Sequence, residues 1–233
     1  MTTMRTDVKL QITAGPLTQA AFEAFGDVVQ NPSPTVHPSQ YSQQTSSLPA
    51  NAVSANQGFA IQYRNVSRIN NYYSQSPSQQ ARPAMSIFSC ASRQISPQFN
   101  VKFLERHPFT TQTFTPIASS AETYLVVVAP TLAPSANDAE YPVPKEVSRG
   151  LPDLKKLKAF VADKNQAVTY GAGTWHAPMV VLGKVETSLD FVVTQFMSGV
   201  ALEDCQLLEF EQQDGSDPEL HVFIPRNSRH ENL

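Results

Sequence analysis

The sequence predicts a mainly β protein, an antiparallel sandwich or barrel built as one domain. Three observations carry this. Many short apolar segments read as strands, against only two segments with helical start signals. The chain has 233 residues, a length that single all-β barrels routinely reach. It carries no repeat of solenoid period and no heptad pattern, which excludes stacked repeats and coiled coils.

Pro16-Leu17-Thr18 opens the first helix. Thr18 is the N-cap, Leu17, Phe22 and Phe25 share a face, and Gly26 takes the left-handed position at the end. A polar stretch at 31–55 follows, then strands at 59–66 and 85–91, separated by a second polar stretch at 70–83. Strands at 101–107, 111–115 and 123–129 come next. The third connector, 131–151, is rich in proline. Pro152-Asp153 opens the second helix, with Asp153 capping and Leu154, Leu157, Phe160 and Val161 as its apolar stripe. The last strands fall at 167–170, 179–182, 190–196 and 205–209, with a further possible strand at 220–224. The expected organisation is thus one domain over 1–212, with polar insertions near 31–55, 70–83 and 131–151, and a polar tail over 213–233. Of 18 prolines against 9 glycines, most fall in the connectors and the tail, where they stiffen loops without breaking ladders.

Charge and cysteine usage narrow the function classes. Seventeen basic against 20 acidic residues leave a net charge of −3, which argues against a nucleic-acid or anionic-membrane partner held by charge alone. No apolar run approaches the roughly 20 residues of a membrane span. The first residues lack the apolar core of a secretory signal. Two cysteines, Cys90 and Cys205, cannot build a disulfide framework. The expectation is a cytoplasmic, soluble, globular protein.

Two segments can carry chemistry. In 101–107, alternation places Val101, Phe103, Glu105 and His107 on one face and Lys102, Leu104 and Arg106 on the other. If Val101 and Phe103 face the interior, Glu105 and His107 are carried inward and need partners there. Gln112 continues inward with Phe114 on the next strand. The alternative is a buried Glu–His pair satisfied by backbone groups. In Tyr170-Gly-Ala-Gly-Thr-Trp-His-Ala-Pro178, two glycines make a tight turn that delivers the only tryptophan and an imidazole to the start of a strand. The alternative there is that Trp175 plugs the barrel end and His176 caps a carbonyl.

Taken together, Glu105-x-His107, Gln112 and Gly173-x-x-His176 resemble the two-part signature of the cupin barrel. Glu105 stands where cupins usually have His, and Gln112 where they usually have Glu. The resulting donor set is compatible with a divalent metal. A closer resemblance follows from Leu104-Glu-Arg-His-Pro108, Tyr124-Leu-Val-Val-Val-Ala-Pro130, Pro152-Asp-Leu154 and Gly173-Thr-Trp-His176. These runs are similar to the corresponding segments of ureidoglycolate lyases of allantoin breakdown. Asn56-Gln-Gly58 and Asp190-Phe191 add weaker matches. Ala177 stands where bacterial members often carry a second His, which makes the chain fungal-like.

The resemblance implies a cupin-like β-barrel of the double-stranded β-helix type, with two or so peripheral helices. It also implies conversion of ureidoglycolate to glyoxylate and urea, a homodimer, and nickel as the divalent metal to test at His107, His176 and Glu105. The reaction needs a base for the substrate hydroxyl, an acid for the departing nitrogen and a positive group for the carboxylate. Glu105 or His107 is the candidate base, and Tyr170 or His176 the candidate acid. Arg64 or Arg93 could hold the carboxylate, Asn56 or Asn70 the urea end, and Gln112 and Trp175 are further substrate contacts. Two competing functions stand beside the lyase. One is amidohydrolysis of the same substrate to ammonia and carbon dioxide; the other is a non-catalytic cupin-like binding protein.

Overall fold

A computed structural model describes residues 2–95, 98–136 and 141–225. The strands in chain order begin with β1 (Thr2–Arg5), β2 (Leu10–Thr13), β3 (Gly15–Pro16), β4 (Gly26–Val29), β5 (Ala52–Ala55) and β6 (Ala60–Tyr63). Next come β7 (Arg82–Arg93), β8 (Gln98–Asn100), β9 (Phe103–Arg106), β10 (Gln112–Ser119), β11 (Thr123–Ala129) and β12 (Lys158–Asp163). The last are β13 (Ala167–Tyr170), β14 (Trp175–His176), β15 (Val180–Leu182), β16 (Ser188–Met197), β17 (Gln206–Glu211) and β18 (Leu220–Phe223). Among the described residues, helix is confined to single turns: α1 (Gln19–Phe22), α2 (Tyr41–Gln44), α3 (Ala201–Asp204) and short 3-10 segments. The mainly β class read from the sequence holds, and no helix among the described residues is long and apolar enough to cross a membrane.

The main sheet runs β1-β17-β9-β14-β11-β15-β7-β16-β10-β13-β4, with β12 and β3 attached beyond β11. Its path has two ends, β1 and β4, so the sheet folds into a cupin-like sandwich without closing into a barrel. Most pairs are antiparallel, but β1–β17, β3–β12 and β7–β15 are parallel, as is β2–β18 in the small sheet. The N-terminal segments join existing edges, so no hairpin fixes their direction. The twelve-residue β7 pairs along its length with β16 and through Ser92 and Arg93 with β15. It thereby carries the sheet from one layer to the other.

Between the layers lies one apolar core. Val126, Val128 and Val181 from β11 and β15 face Phe114, Val168, Phe191 and Val193 from β10, β13 and β16. A second core lies on the far side of the β9–β14–β11–β15 layer, with Leu104, Leu125, Val127, Trp175 and Leu208. The small sheet β2-β18-β8 covers it through Leu220 and Val222. This explains why β11 is apolar on both faces: each face belongs to its own core, as for a strand with both sides covered. Leu104, which alternation alone sends outward, is fully buried in the second core. Val101 also packs there, because residues 101–102 lie outside β9 and break the alternation before Phe103.

The first helix is a single turn. Thr18 caps it by accepting from the Ala21 N–H at 3.3 Å, and Phe22 is buried. Gly26 does not end that helix but opens β4, where a Cβ would lie 1.9 Å from the Thr169 carbonyl oxygen. The second helix is corrected. Asp153 does cap a turn, Leu154–Lys156, but Leu157 leaves it with φ −50° and ψ 140° and the chain continues as β12. There Ala159 faces the second core while Phe160 and Ala162 face the first, and all pair with β11. Residues 31–55 contribute α2 and β5, and β5 pairs with β6 in a separate hairpin. The possible strand at 220–224 is present as β18. The rest of the expected tail, 226–233, lies outside the described residues.

Candidate active site

β9 and β14 meet as antiparallel neighbours, with His176 directly opposite Glu105. Alternation then sorts the neighbouring side chains. Leu104, Arg106 and Trp175 point into the second core, whereas Glu105, His107 and His176 point between the layers. The two imidazoles sit with ring centroids 5.5 Å apart, and His176 Nε2 lies 3.6 Å from Glu105 Oε1. One ligand atom from each of the three residues falls within 4.8 Å of the others. Both imidazoles are buried, while the Glu105 side chain keeps 21% of its surface open to solvent.

The backbone sets the tautomer of each imidazole. His107 Nδ1 donates to the Asp204 carbonyl at 2.5 Å, and His176 Nδ1 donates to the Thr174 carbonyl at 2.9 Å. A neutral ring with its proton on Nδ1 presents a lone pair at Nε2. Both Nε2 atoms are buried and have no hydrogen-bond partner. Two orphaned, convergent nitrogen lone pairs beside a carboxylate fit a divalent cation, and imidazoles fixed through their other nitrogen are how such ligands are oriented. Each alternative read from the sequence therefore holds in part, since the imidazoles do cap carbonyls, but through only one nitrogen apiece.

Electrostatics favour the same protonation state. Burial pushes the His176 pKa down to about 3, and the neighbouring His107 adds to the effect against the Thr174 hydrogen bond. His176 is therefore neutral at pH 7 and makes no ion pair with Glu105. Because the folded form resists a proton that the unfolded chain accepts near pH 6.5, stability is lost as pH falls from about 6.5 toward 3. His176→Gln is expected to flatten the upper part of that fall, between about pH 6.5 and 4.5, in denaturant titrations. An unchanged slope there would contradict the assignment.

Tyr170 stacks on His176, with centroids 3.9 Å apart and planes at 11°. Burial, with Tyr124 and Glu105 nearby, raises its pKa well above the usual value, so it stays protonated. Of the two candidate acids, neutral His176 commits its one proton to the Thr174 carbonyl, which leaves the Tyr170 hydroxyl. Cys205 lies with Sγ 3.7 Å from Glu105 Oε2, and its thiol is pushed up to about 12 by burial and that carboxylate.

The remaining expectations divide. Gln112 is buried opposite Tyr170 on β10 and donates through Nε2 to Gln195 Oε1 at 2.7 Å. Trp175 is corrected: its indole N–H donates to the Gly150 carbonyl and its ring lies in the second core under the Arg106 guanidinium, 4.4 Å away. Arg106 is fully buried and donates to Gln206 and to the carbonyls of Ser148, Arg149 and Gly150. Asn56 and Arg64 are exposed on the β5–β6 hairpin, where Arg64 donates to Gln62 and no hydrogen bond joins either to the imidazoles. Arg93 lies over Phe99.

No motif marks Asp204. Burial pushes its carboxyl up, but hydrogen bonds from the Tyr73 hydroxyl, Ser198 and Gly199 outweigh it and hold it below the usual range. Those bonds anchor the residue whose carbonyl orients His107. The 70–83 insertion thus reaches the site through Tyr73, and 131–151 supplies the acceptors that hold Arg106.

Known proteins resemble the chain over most of its length. The family model described as ureidoglycolate lyase matches residues 9–215. A ureidoglycolate lyase of Schizosaccharomyces pombe is 37% identical over 220 residues, covering 92% of this chain and 96% of its own. That of Saccharomyces cerevisiae is 37% identical over 202 residues, covering 80% and 86%. One from Burkholderia mallei is 31% identical over 178 residues, covering 76% and 78%. A family match that spans the whole site, with two fungal relatives over most of their length, shows that the chain belongs to the ureidoglycolate lyase family.

Proposed function

We propose that the protein is a ureidoglycolate lyase, an enzyme that breaks the carbon–nitrogen bond of ureidoglycolate to give glyoxylate and urea. The observation that carries the reading is the convergence of Glu105 with two buried imidazoles whose Nε2 atoms lack partners. The reaction reverses an addition. Glu105, open to solvent on one side, takes the hydroxyl proton as the carbonyl forms. Tyr170 supplies a proton to the departing nitrogen and recovers one from Glu105, so that the hydroxyl proton ends on urea. The apolar layers on either side exclude water, which strengthens each of these interactions.

His107, His176 and Glu105 would hold a divalent cation, and the family resemblance points to nickel. When bound, the cation supplies the positive charge that the substrate carboxylate and the developing oxyanion require. Arg106 cannot serve that end, because its guanidinium is committed to the opposite face of β9.

The reading includes a cytoplasmic enzyme that works as a homodimer. Met85 and Ile87, 75% and 59% exposed on β7, stand beside a groove of about 250 Å³ lined also by Ile69 and Phe196. A second copy would cover this apolar face. Light scattering is expected to give twice the chain mass, and a monomer would contradict the assignment.

Product analysis tests the function. Purified protein is expected to release urea and glyoxylate in equal amounts, faster than spontaneous decay. Ammonia without urea would show amidohydrolysis instead, and no enhancement would remove the enzyme reading.

A further inference from the structure

The inward face of the sheet carries a row of polar side chains that extends past the imidazoles. Glu105 and His176 are register partners on β9 and β14. Tyr170 stacks on His176 across the interior. Gln112 is the register partner of Tyr170 on the next strand, which puts their Cβ atoms about 5 Å apart. Gln195 on β16 follows, joined to Gln112 by the 2.7 Å bond from Nε2 to Oε1. Gln112 and Gln195 share the parity of Phe114 and Val193, so both face the inter-layer core and not the outer surface.

Apart from the imidazole nitrogen, one atom in this row lacks a partner within the chain. Gln112 is 4% exposed, and its Oε1 is buried with no hydrogen-bond partner. An unpaired buried carbonyl is costly, and such an atom persists when something else supplies the donor. The bond to Gln195 uses the oxygen of that residue, so its Nε2 remains a donor. Gln195 is half-buried, so this end of the row is less enclosed than Gln112.

We propose that the Gln112–Gln195 amide pair is the element that reads the ureido end of the substrate. This rests on the lyase reading and adds the source of its specificity. Gln112 Oε1 accepts from the terminal NH2, and Gln195 Nε2 donates to the ureido carbonyl. An amide edge offering one acceptor and one donor is complementary to the donor and acceptor edge of a ureido group. Gln112 takes the sequence position where the cupin pattern supplies an acidic ligand, and an amide there exchanges metal binding for neutral hydrogen bonding. The reacting carbon then lies toward Tyr170, His176 and Glu105, and the nitrogen to be released lies toward the amides.

Binding of two unreactive probes tests this without turnover, so its failure is separate from failure of the lyase reading. Oxalurate keeps the ureido group and carboxylate; N-acetyloxamate differs only by a methyl in place of the terminal NH2. Calorimetry on the wild-type protein is expected to show oxalurate binding on the order of 30-fold tighter, the effect of pairing one buried acceptor. Gln112→Met should bring the two probes to within about threefold of each other. Gln112→Glu, which keeps the acceptor, should retain the preference. A wild-type protein that binds both probes equally, or neither, would overturn the proposal. So would a Gln112→Met variant that keeps the full preference or a Gln112→Glu variant that loses it. If Gln112→Met fails to fold, Gln195→Met tests the other half of the pair: it removes the donor to the carbonyl that both probes share, so both should bind about tenfold more weakly, and unchanged binding of either overturns the proposal.

Discussion

His107→Ala and His176→Ala are each expected to lower kcat/KM for ureidoglycolate by about 10³-fold or more. Both imidazoles present an unpartnered Nε2 to the same space, and each is fixed by a backbone carbonyl at Nδ1. Removing either takes away a nitrogen that no neighbouring side chain can replace. The two variants should also lose most of their affinity for nickel in titration calorimetry, where wild-type protein stripped with EDTA is expected to bind one ion per chain. The combined variant should be little worse than either single one, because groups acting as a unit are not additive. Steady-state kinetics and calorimetry on the same preparations check this. Near wild-type activity in either single variant would place the chemistry elsewhere.

Arg106→Ala is expected to cost about 3 kcal/mol or more of stability, the scale for a buried charged group whose partners are left unpaired. The guanidinium donates to one side-chain oxygen and three backbone carbonyls and stacks on Trp175. Its loss opens a cavity and leaves acceptors of 148–150 dry. For a chain of this length the melting temperature should fall by roughly 6–12 °C. Calorimetric melts of the variant against wild type check this, and a shift under about 2 °C would contradict it. Arg106 stands between Glu105 and His107 in the sequence but acts on the opposite side of the strand, so its effect on the site is one of support.

That division was legible from alternation alone. Period two puts Glu105 and His107 together and Arg106 opposite, whatever the sheet around them. What alternation could not say is that the opposite face is equally buried, because a second core exists only once β2, β8 and β18 come together from both ends of the chain. Segment 154–161 reads as a helix for a related reason. Apolar residues at 154, 157, 160 and 161 match a helical stripe, yet β12 is buried on both faces, and a two-sided strand leaves no alternation to detect. β14 is two residues long and too short for any period. Asp204 was invisible because the atom that orients His107 is a main-chain carbonyl, which every residue has. Gln195 carries no sequence signal, because only the β10–β16 pairing brings it to Gln112, 83 residues earlier. Trp175 adjoins His176 in the sequence but not in the site, because adjacent strand residues face opposite sides.

The central claim is that Glu105, opposite His176 and open to solvent, is the base that starts bond cleavage. The rate of urea release by Glu105→Gln at saturating ureidoglycolate tests it most directly, since the amide keeps the shape and removes the basic oxygen. The account predicts a kcat lower by 10²- to 10⁴-fold, with KM changed by less than about fivefold and an unaltered melting temperature. A kcat within about threefold of wild type would contradict it.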